Sequence, residues 1–148
     1  MYRLYSFINC YLSSIQQGIQ TAHLVGEFIN RLDDISYPEK LKDIINQWAK
    51  NDKTIVVCNG GNNKLLFDFF CLFHDFIENY PVIIFSEDAE SLNNTLTGIS
   101  IILPKEIWNV EYDQHWGTYV SLDDGRIYTK ESKEYELIKM VKSAKLAI

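Results

Sequence analysis

Apolar residues follow two different periods along the chain, and the alternation between these periods predicts an α/β fold. Short runs rich in aromatic and β-branched residues are typical of strands, whereas apolar residues at every third or fourth position are typical of helices. Strands that alternate with helices assemble into a mixed sheet with helices packed on it. We therefore expect a mixed four-stranded sheet flanked by helices, with a C-terminal hairpin and helix. The predicted strands cover residues 2–9, 53–58, 82–85 and 98–103, the helices 14–32, 38–50, 64–79 and 131–146, and the hairpin 119–128.

The first predicted helix carries the clearest pattern. Ser13 and Ser14 are each followed three positions later by a glutamine, Gln16 and Gln17, which is the spacing of a capping box. We expect the apolar stripe of this helix to face the core. The residues of that stripe are Ile15, Ile19, Ala22, Val25 and Ile29.

Length and composition are those of a single-domain globular protein. The 148 residues can close one core, and we expect one α/β domain over 1–148, with the sheet core in about 1–105 and the hairpin and helix in about 117–147. No apolar run of about 18 residues is present, so we expect no membrane span. The three cysteines lie in apolar surroundings without C-x-x-C spacing. We expect buried free thiols and a cytoplasmic protein.

The charge of the chain is distributed unevenly. The net charge is -6, but residues up to Gly125 include 8 basic and 17 acidic side chains, whereas residues from Arg126 onward include 6 basic and 3 acidic ones. An acidic body weakens any interpretation as a DNA-binding protein, while a small phosphorylated ligand needs only a few donors. The basic C-terminal block is either a solvated helix face or a source of cations, such as Arg126, that fold over a pocket.

Two polar turns precede predicted helices and are candidates for anion binding. The first is residues 59–63, Asn-Gly-Gly-Asn-Asn, where glycines allow a close approach of the backbone and the helix N-terminus offers amides. The second is residues 11–17, which concentrates serine and glutamine side chains, with His23 two turns further on. The alternatives are ordinary turns with capping residues and a buried, hydrogen-bonded His23.

Two further features could contact a ligand. Asp88 follows the third predicted strand, at the end where α/β proteins bind ligands; it could equally cap a turn or short helix in residues 86–91. Trp108 and Trp116 lie in a polar, aromatic-rich stretch and could stack on nucleobases, or else pack the C-terminal segment onto the core. No Cys/His cluster has the spacing of a zinc site.

The order of these segments resembles the type 2 peptidyl-tRNA hydrolase fold over about residues 2–105. The resemblance implies a mixed four-stranded sheet flanked by helices in a protein that is often dimeric. In that family a basic residue precedes the glutamine–histidine motif and serves tRNA hydrolysis, but residues 13–17 here contain no lysine. The residues that carry the resemblance are the strand at 2–9, Gly-Ile-Gln-Thr-Ala-His at 18–23, the strand–helix–strand at 54–85, Glu-Asp-Ala at 87–89 and the strand at 98–104.

The opening Met-Tyr-Arg-Leu-Tyr-Ser-Phe-Ile and the helix segment Gly-Ile-Gln-Thr-Ala-His-Leu-Val also resemble small tailed-phage proteins with this fold, the anti-CBASS nucleotide sponges. That resemblance implies a homodimeric viral protein of the host cytoplasm that sequesters cyclic dinucleotide-type immune signals without catalysis, cofactor or metal. The alternatives are a peptidyl-tRNA hydrolase and a structural or assembly protein without a small ligand. The expected ligand-binding residues are Tyr11, Ser13, Ser14, Gln17, His23, Asn59, Gly60, Gly61, Asn62, Asp88, Trp108, Trp116 and Arg126.

Overall fold

The centre of the fold is a four-stranded mixed sheet. In the computed structural model, which describes residues 1–87 and 95–147, the strands are β1 (Tyr2–Ile8), β2 (Ile55–Asn59), β3 (Val82–Ser86) and β4 (Leu96–Pro104). Their order is β2-β1-β4-β3. Strand β1 is parallel to β2 and antiparallel to β4, and β3 is antiparallel to β4. The prediction of a mixed four-stranded sheet is confirmed.

Helices cover both faces of this sheet and bury two separate groups of apolar side chains. The helices are α1 (Ser14–Arg31), α2 (Glu39–Gln47), α3 (Asn63–His74), α4 (Lys105–Trp108) and α5 (Tyr135–Ser143), and a π-helical turn at Trp48–Asp52 extends α2. Helices α1 and α2 pack on one face around Leu4, Phe28 and Ile45. Helices α3, α4 and α5 pack on the other face around Phe7 and Phe73. In the described part of the chain, no helix has both the length and the apolar character needed to cross a bilayer.

A second, smaller sheet lies between α4 and α5 along the chain. Its antiparallel strands β5 (Val110–Asp113), β6 (Thr118–Ser121) and β7 (Ile127–Tyr128) are ordered β5-β6-β7. The β6–β7 pair is the predicted hairpin, and its turn contains Gly125 with φ +75°. Strand β5 and helix α4 were not predicted. The aromatic-rich stretch around them has neither the alternation that identifies a strand nor the period that identifies a helix.

The prediction for the inward face of α1 is wrong. The helix packs on the sheet through Gln20, Thr21, Leu24 and Phe28, which are buried. Most of the predicted apolar stripe points to solvent, and only Val25 packs at the margin of the core. Phe28 is larger than any residue of the stripe, and Gln20 and Thr21 each lie within hydrogen-bond distance of a buried hydroxyl, that of Thr97 and that of Ser6 respectively. Burying this second face therefore places Phe28 in the core without leaving polar groups unpaired.

Helices α3 and α5 are shorter than predicted. Helix α3 stops at His74 because the next turns form bonds to the third residue back, as from Asp75 N to Leu72 O at 3.2 Å. Helix α5 starts only at Tyr135, since Ser132 closes a turn with its hydroxyl accepting from Thr129 N at 3.0 Å.

The predicted burial of the three thiols is correct for one cysteine only. Cys58 is buried, whereas Cys10 and Cys71 are exposed, and all three are free. Cys58 lies in β2 on the core-facing side of the sheet. Cys10 instead lies in the turn after β1, and Cys71 lies on the outer side of α3. Neither is held in the core.

The residues after α5 return to the edge of the main sheet. Lys145 O accepts from Asn59 N at 2.8 Å, Ala147 N donates to Val57 O at 2.9 Å, and Leu146 forms a bridge with Cys58. These bonds cover the outer edge of β2 with a short extension of the sheet. An edge strand paired in this way offers fewer free backbone groups to other chains.

Candidate functional site

The carboxyl ends of β1, β2 and β3 lie at one edge of the sheet, because these three strands run in the same direction. Asn9 follows β1, Asn59 ends β2 and Glu87 follows β3. Antiparallel β4 starts at the same edge with Leu96. Open α/β sheets bind ligands outside the carboxyl ends of their strands. We call the residues around these three strand ends the strand-end site.

Asn9 ties the strand-end site together. It is 2% exposed, and its Nδ2 donates to Asn63 Oδ1 at 2.6 Å and to Leu96 O at 3.2 Å. Its Oδ1 accepts from Tyr11 N at 3.0 Å. One side chain therefore connects β1 to the first residue of α3, to the start of β4 and to the segment that leads into α1.

A second polar cluster fixes the carboxylate at the end of β3. Gln20, on the buried face of α1, donates from Nε2 to Glu87 Oε1 at 2.6 Å. The hydroxyl of Thr97, which is fully buried, donates to Gln20 Oε1 at 2.9 Å and lies 3.2 Å from Phe85 O. Because both ends of the Gln20 amide are bonded, the Glu87 side chain is held against α1.

The Asn-Gly-Gly turn after β2 is closely packed against the end of β1. Gly60 N donates to Ile8 O at 2.7 Å, and a Cβ on Gly60 would lie 2.5 Å from Leu66 Cδ2 and 3.0 Å from Ile8 N. Gly61 has φ +73°, a conformation that side chains disfavour. Asn59 Oδ1 accepts from Gly61 N at 2.8 Å. The turn needs both glycines for its own geometry.

Two helices begin at the strand-end site with side-chain caps. Asn62 Oδ1 accepts from Leu65 N at 3.0 Å at the start of α3. Ser13 Oγ accepts from Gln16 N at 3.3 Å, and Gln16 Oε1 accepts from Ser13 N at 3.0 Å. The predicted capping box at α1 is confirmed. Neither helix has an acidic residue in its first turn, so the positive end of each helix dipole keeps its attraction for an anion.

Ser14 and Gln17, both expected to bind a ligand, lie in the first turn of α1 and differ in burial. Ser14 is the exposed first residue of the helix. Gln17 is half-buried, and its Nε2 donates to Leu12 O at 3.0 Å. The Gln17 carbonyl accepts from the Thr21 hydroxyl at 2.9 Å. Gln17 therefore fixes the chain at the entry to α1.

Two adjoining cavities open at the strand-end site, and the exposed Tyr11 side chain lines both. The smaller cavity measures about 310 Å³ and the more open one about 460 Å³. The smaller is lined by Asn9, Tyr11, Leu12, Gln16, Asn63, Thr95 and Thr97. The larger is lined by Cys10, Tyr11, Gly61, Asn62, Lys64, Leu65 and Asp68. The first offers neutral amides and hydroxyls, and the second adds one ammonium group and one carboxylate.

His23 lies outside these cavities. His23 is exposed, and its ring stacks on Phe85 with centroids 4.6 Å apart and planes 3° from parallel. It lines neither cavity. Asp88 lies outside the described residues, as does most of the predicted turn or short helix at 86–91.

Trp108 and Arg126 lie by the opposite edge of the main sheet. The Arg3 guanidinium lies 3.5 Å from the Trp108 ring centroid, and Arg3 is near the start of β1. Arg126 is exposed and lies 3.7 Å from the Asp124 carboxylate in the β6–β7 turn. The structure therefore does not bring these two residues to the polar turns, and Arg126 lies beside an acidic residue of its own turn rather than folding over them.

Trp116 belongs to a separate cavity on the small sheet. That cavity measures about 560 Å³, and the Trp116 side chain is exposed at its rim. Lys130 also lines it, together with Asp113 and Glu131. Trp116 and the helix N-termini expected to hold phosphate therefore do not line a common cavity.

Several residues of the strand-end site were missed by the sequence interpretation. Asn9 was assigned only as the last residue of a strand, Asn63 only as part of a turn, and Thr97 had no assignment. Gln20 was noted only as the glutamine of the glutamine–histidine motif. A polar residue inside an apolar strand or on the buried side of a helix is the one sequence signal that could have marked them.

No group of three or more His, Cys, Asp or Glu side chains among the described residues is arranged to hold a metal ion. Comparison of the chain with known protein families gives no match, and comparison with curated proteins gives no similar sequence.

Proposed function

We propose that the protein binds and retains a small phosphorylated nucleotide of the cyclic dinucleotide class at the strand-end site, without converting it. The observation that carries the proposal is the pair of cavities sharing Tyr11 at the start of two helices. Cavities of this size fall in the range of small-molecule sites. A type 2 peptidyl-tRNA hydrolase-like topology is part of the proposal and is supported by the mixed sheet with helices on both faces.

The phosphates of the ligand are assigned to the helix N-termini. The first amides of a helix have no partner within the helix, and its dipole attracts anions there. Lys64 stands in the first turn of α3 and lines the larger cavity. A cation at this end of a helix opposes the helix dipole, and a phosphate beside it supplies the compensating charge.

The base and the ribose are assigned to the smaller cavity. Tyr11 is 78% exposed, so its ring can stack on a base at the cost of little rearrangement. Gln16 and Asn63 are side chains with both donor and acceptor groups, which suit base edges and ribose hydroxyls. Tyr11 thus takes the role that the sequence interpretation gave to Trp108 and Trp116.

The test is calorimetry with a panel of cyclic dinucleotides and their linear counterparts. We expect at least one cyclic ligand to bind with a dissociation constant in the nanomolar to micromolar range and to be recovered unchanged by chromatography. The Tyr11→Ala and Lys64→Ala variants should each weaken binding at least about tenfold, equivalent to about 1.4 kcal/mol.

Trp116→Ala and Lys130→Ala are matched controls, because they remove one aromatic residue and one lysine from the separate cavity. If these two variants lose binding and Tyr11→Ala does not, the ligand site is instead the cavity on the small sheet. If no ligand of the panel binds, the proposal is contradicted and a structural or assembly role is favoured. Release of peptide from a model peptidyl-tRNA would replace it with the hydrolase alternative.

A further inference from the structure

The cavity on the outer face of the small sheet is larger than the two at the strand-end site, and we call it the small-sheet cavity. Its volume of about 560 Å³ is within the range of small-molecule sites. Strand pairing sets its floor. Val120 of β6 lies opposite Ile127 of β7, and Thr118 of β6 lies opposite Asp113 of β5. Because side chains alternate along a strand and the intervening Tyr119 is buried in the core, Thr118 and Val120 face outward.

Trp116 lines this cavity and is the most exposed of the three tryptophans. It is 74% exposed, whereas Trp48 is buried and Trp108 is half-buried. The backbone of its turn is held by hydrogen bonds, because Asp113 Oδ1 accepts from Trp116 N at 3.3 Å and Asp113 O accepts from Gly117 N at 2.8 Å. A large aromatic ring on a hydrogen-bonded turn, left in water beside a cavity, is suited to stacking on a ligand.

The polar groups of the small-sheet cavity include hydrogen-bond acceptors, a donor and hydroxyls that can act as either. Within residues 1–87 and 95–147, neither Lys130 nor Glu131 forms an ion pair, so both keep their hydrogen-bonding capacity for a ligand. The turn bonds of the Asp113 side chain are made by Oδ1, which leaves Oδ2 for a ligand. The polar residues of the cavity are Asp113, Thr118, Thr129, Lys130 and Glu131.

This mixture of groups favours a neutral ligand. Two carboxylates beside one ammonium group disfavour a phosphate or another anion. Lys130 in turn disfavours an organic cation placed over the Trp116 ring, because like charges repel. A neutral polyol meets neither repulsion, since its hydroxyls donate to the carboxylates and accept from the ammonium group. A sugar ring also has a face of C–H groups, which the negative face of an indole attracts.

We infer that the small-sheet cavity binds a neutral oligosaccharide, with one sugar ring stacked on Trp116 and its hydroxyls hydrogen-bonded to Asp113, Glu131 and Lys130. Ile127, which is 60% exposed on the floor, contacts the apolar part of the same chain of sugars. The cavity shares no lining residue with the two at the strand-end site. A sugar here and a nucleotide there therefore bind to different side chains, and each can be removed by substitution without the other.

Tryptophan fluorescence measures this binding, because Trp116 is the tryptophan that solvent reaches most. The probes are the neutral trisaccharides maltotriose, cellotriose, mannotriose and triacetylchitotriose. At least one should shift the emission to shorter wavelength and protect Trp116 from quenching by acrylamide. The cavity is open to solvent, so a bound sugar buries less apolar surface than in an enclosed site. We therefore expect a dissociation constant of ~0.1–1 mM, confirmed by calorimetry.

Substitutions measured by calorimetry assign the binding to this cavity. Trp116→Ala should weaken binding of the trisaccharide at least about tenfold, and Lys130→Ala should weaken it as well. Phe67→Ala and Lys142→Ala are the matched controls, because they remove one exposed aromatic residue and one exposed lysine that do not line the cavity. Both should leave binding unchanged. Circular dichroism melts establish that each variant is folded.

Three results would overturn the oligosaccharide site. One is the absence of any response to the four trisaccharides up to tens of millimolar. Another is trisaccharide binding that Trp116→Ala leaves undiminished. The third is a shift of the Trp116 emission by choline or by a cyclic dinucleotide, in the absence of a response to the sugars, which would assign the cavity to a charged ligand.

Discussion

Asn9 is the residue whose role was least accessible from the sequence. Its side-chain partners lie 54 and 87 positions away along the chain, and no local pattern brings Asn63 or Leu96 to it. The Asn-Gly-Gly turn is the opposite case, because its glycines and capping asparagine act on neighbours a few residues away. Local chemistry could be predicted at this site, whereas contacts made through the sheet could not.

Gly60 provides a test of the close packing beneath the site. Gly60→Ala places a Cβ 3.0 Å from the Ile8 backbone and closer still to Leu66, which is fully buried. Since backbone atoms cannot yield as side chains do, we expect a loss of about 1–3 kcal/mol in the free energy of unfolding, measured by urea denaturation.

Gly125→Ala is a useful comparison for that measurement. Gly125 has open space around it but φ +75°, so its substitution reports backbone strain without a steric clash. An unchanged unfolding free energy in Gly60→Ala would show that β1 and the turn are not in close contact.

Thiol reactivity tests the different environments of the cysteines. Burial raises the pKa of the Cys58 thiol to about 11, and the thiolate is the reactive form. We expect two thiols, Cys10 and Cys71, to react rapidly with a chromogenic disulfide near neutral pH. The third should react only on unfolding or as the pH approaches the raised pKa. Cys58→Ala should remove the slow phase alone; three equal rates would contradict the burial of Cys58.

At the scale of elements, α1 explains why a correct helix can be assigned the wrong face. Its length and its capping box were predictable from local spacing. Its orientation was not, because the helix has apolar residues on two sides, and hydrophobic period alone does not tell which side meets the sheet. The face that meets the sheet carries Leu24 and Phe28, and its two polar residues are paired in the core.

The extension after α5 should stabilise β2 through its backbone. Truncation after Ala144 removes the bonds from Asn59 N to Lys145 O and from Ala147 N to Val57 O. At about 0.5–1.5 kcal/mol for each hydrogen bond, we expect unfolding at lower denaturant and, because an edge strand is freed, faster aggregation on heating.

Leu146→Ala is the control for this truncation. Leu146 is mostly exposed, and its substitution keeps the backbone pairing, so stability should change little. If the truncated chain unfolds at the same denaturant concentration as the wild type, the extension does not contribute to the stability of the sheet.

At the scale of the whole molecule, the polar turns and the aromatic and basic residues that were expected to form one binding site lie on separate surfaces. The strand-end site lies at one edge of the main sheet, while Trp108 and Arg126 lie by the other edge. The class of fold followed from the alternation of strands and helices. The composition of the site did not, because Asn9, Gln20 and Thr97 meet through the pairing of β1 with β4 and the packing of α1 on the sheet, which local patterns do not reveal.

The pairing of β1 also determines when the protein can fold. Its neighbour β4 pairs with it from Tyr2 opposite Pro104 to Ile8 opposite Gly98, so a loop of about ninety residues closes before the centre of the sheet exists. Closing such a loop costs chain entropy before any contact compensates for it. During synthesis β2 can pair with one edge of β1 first, but the other edge of β1 stays unpaired until β4 has left the ribosome. For that interval the open edge can pair with other chains.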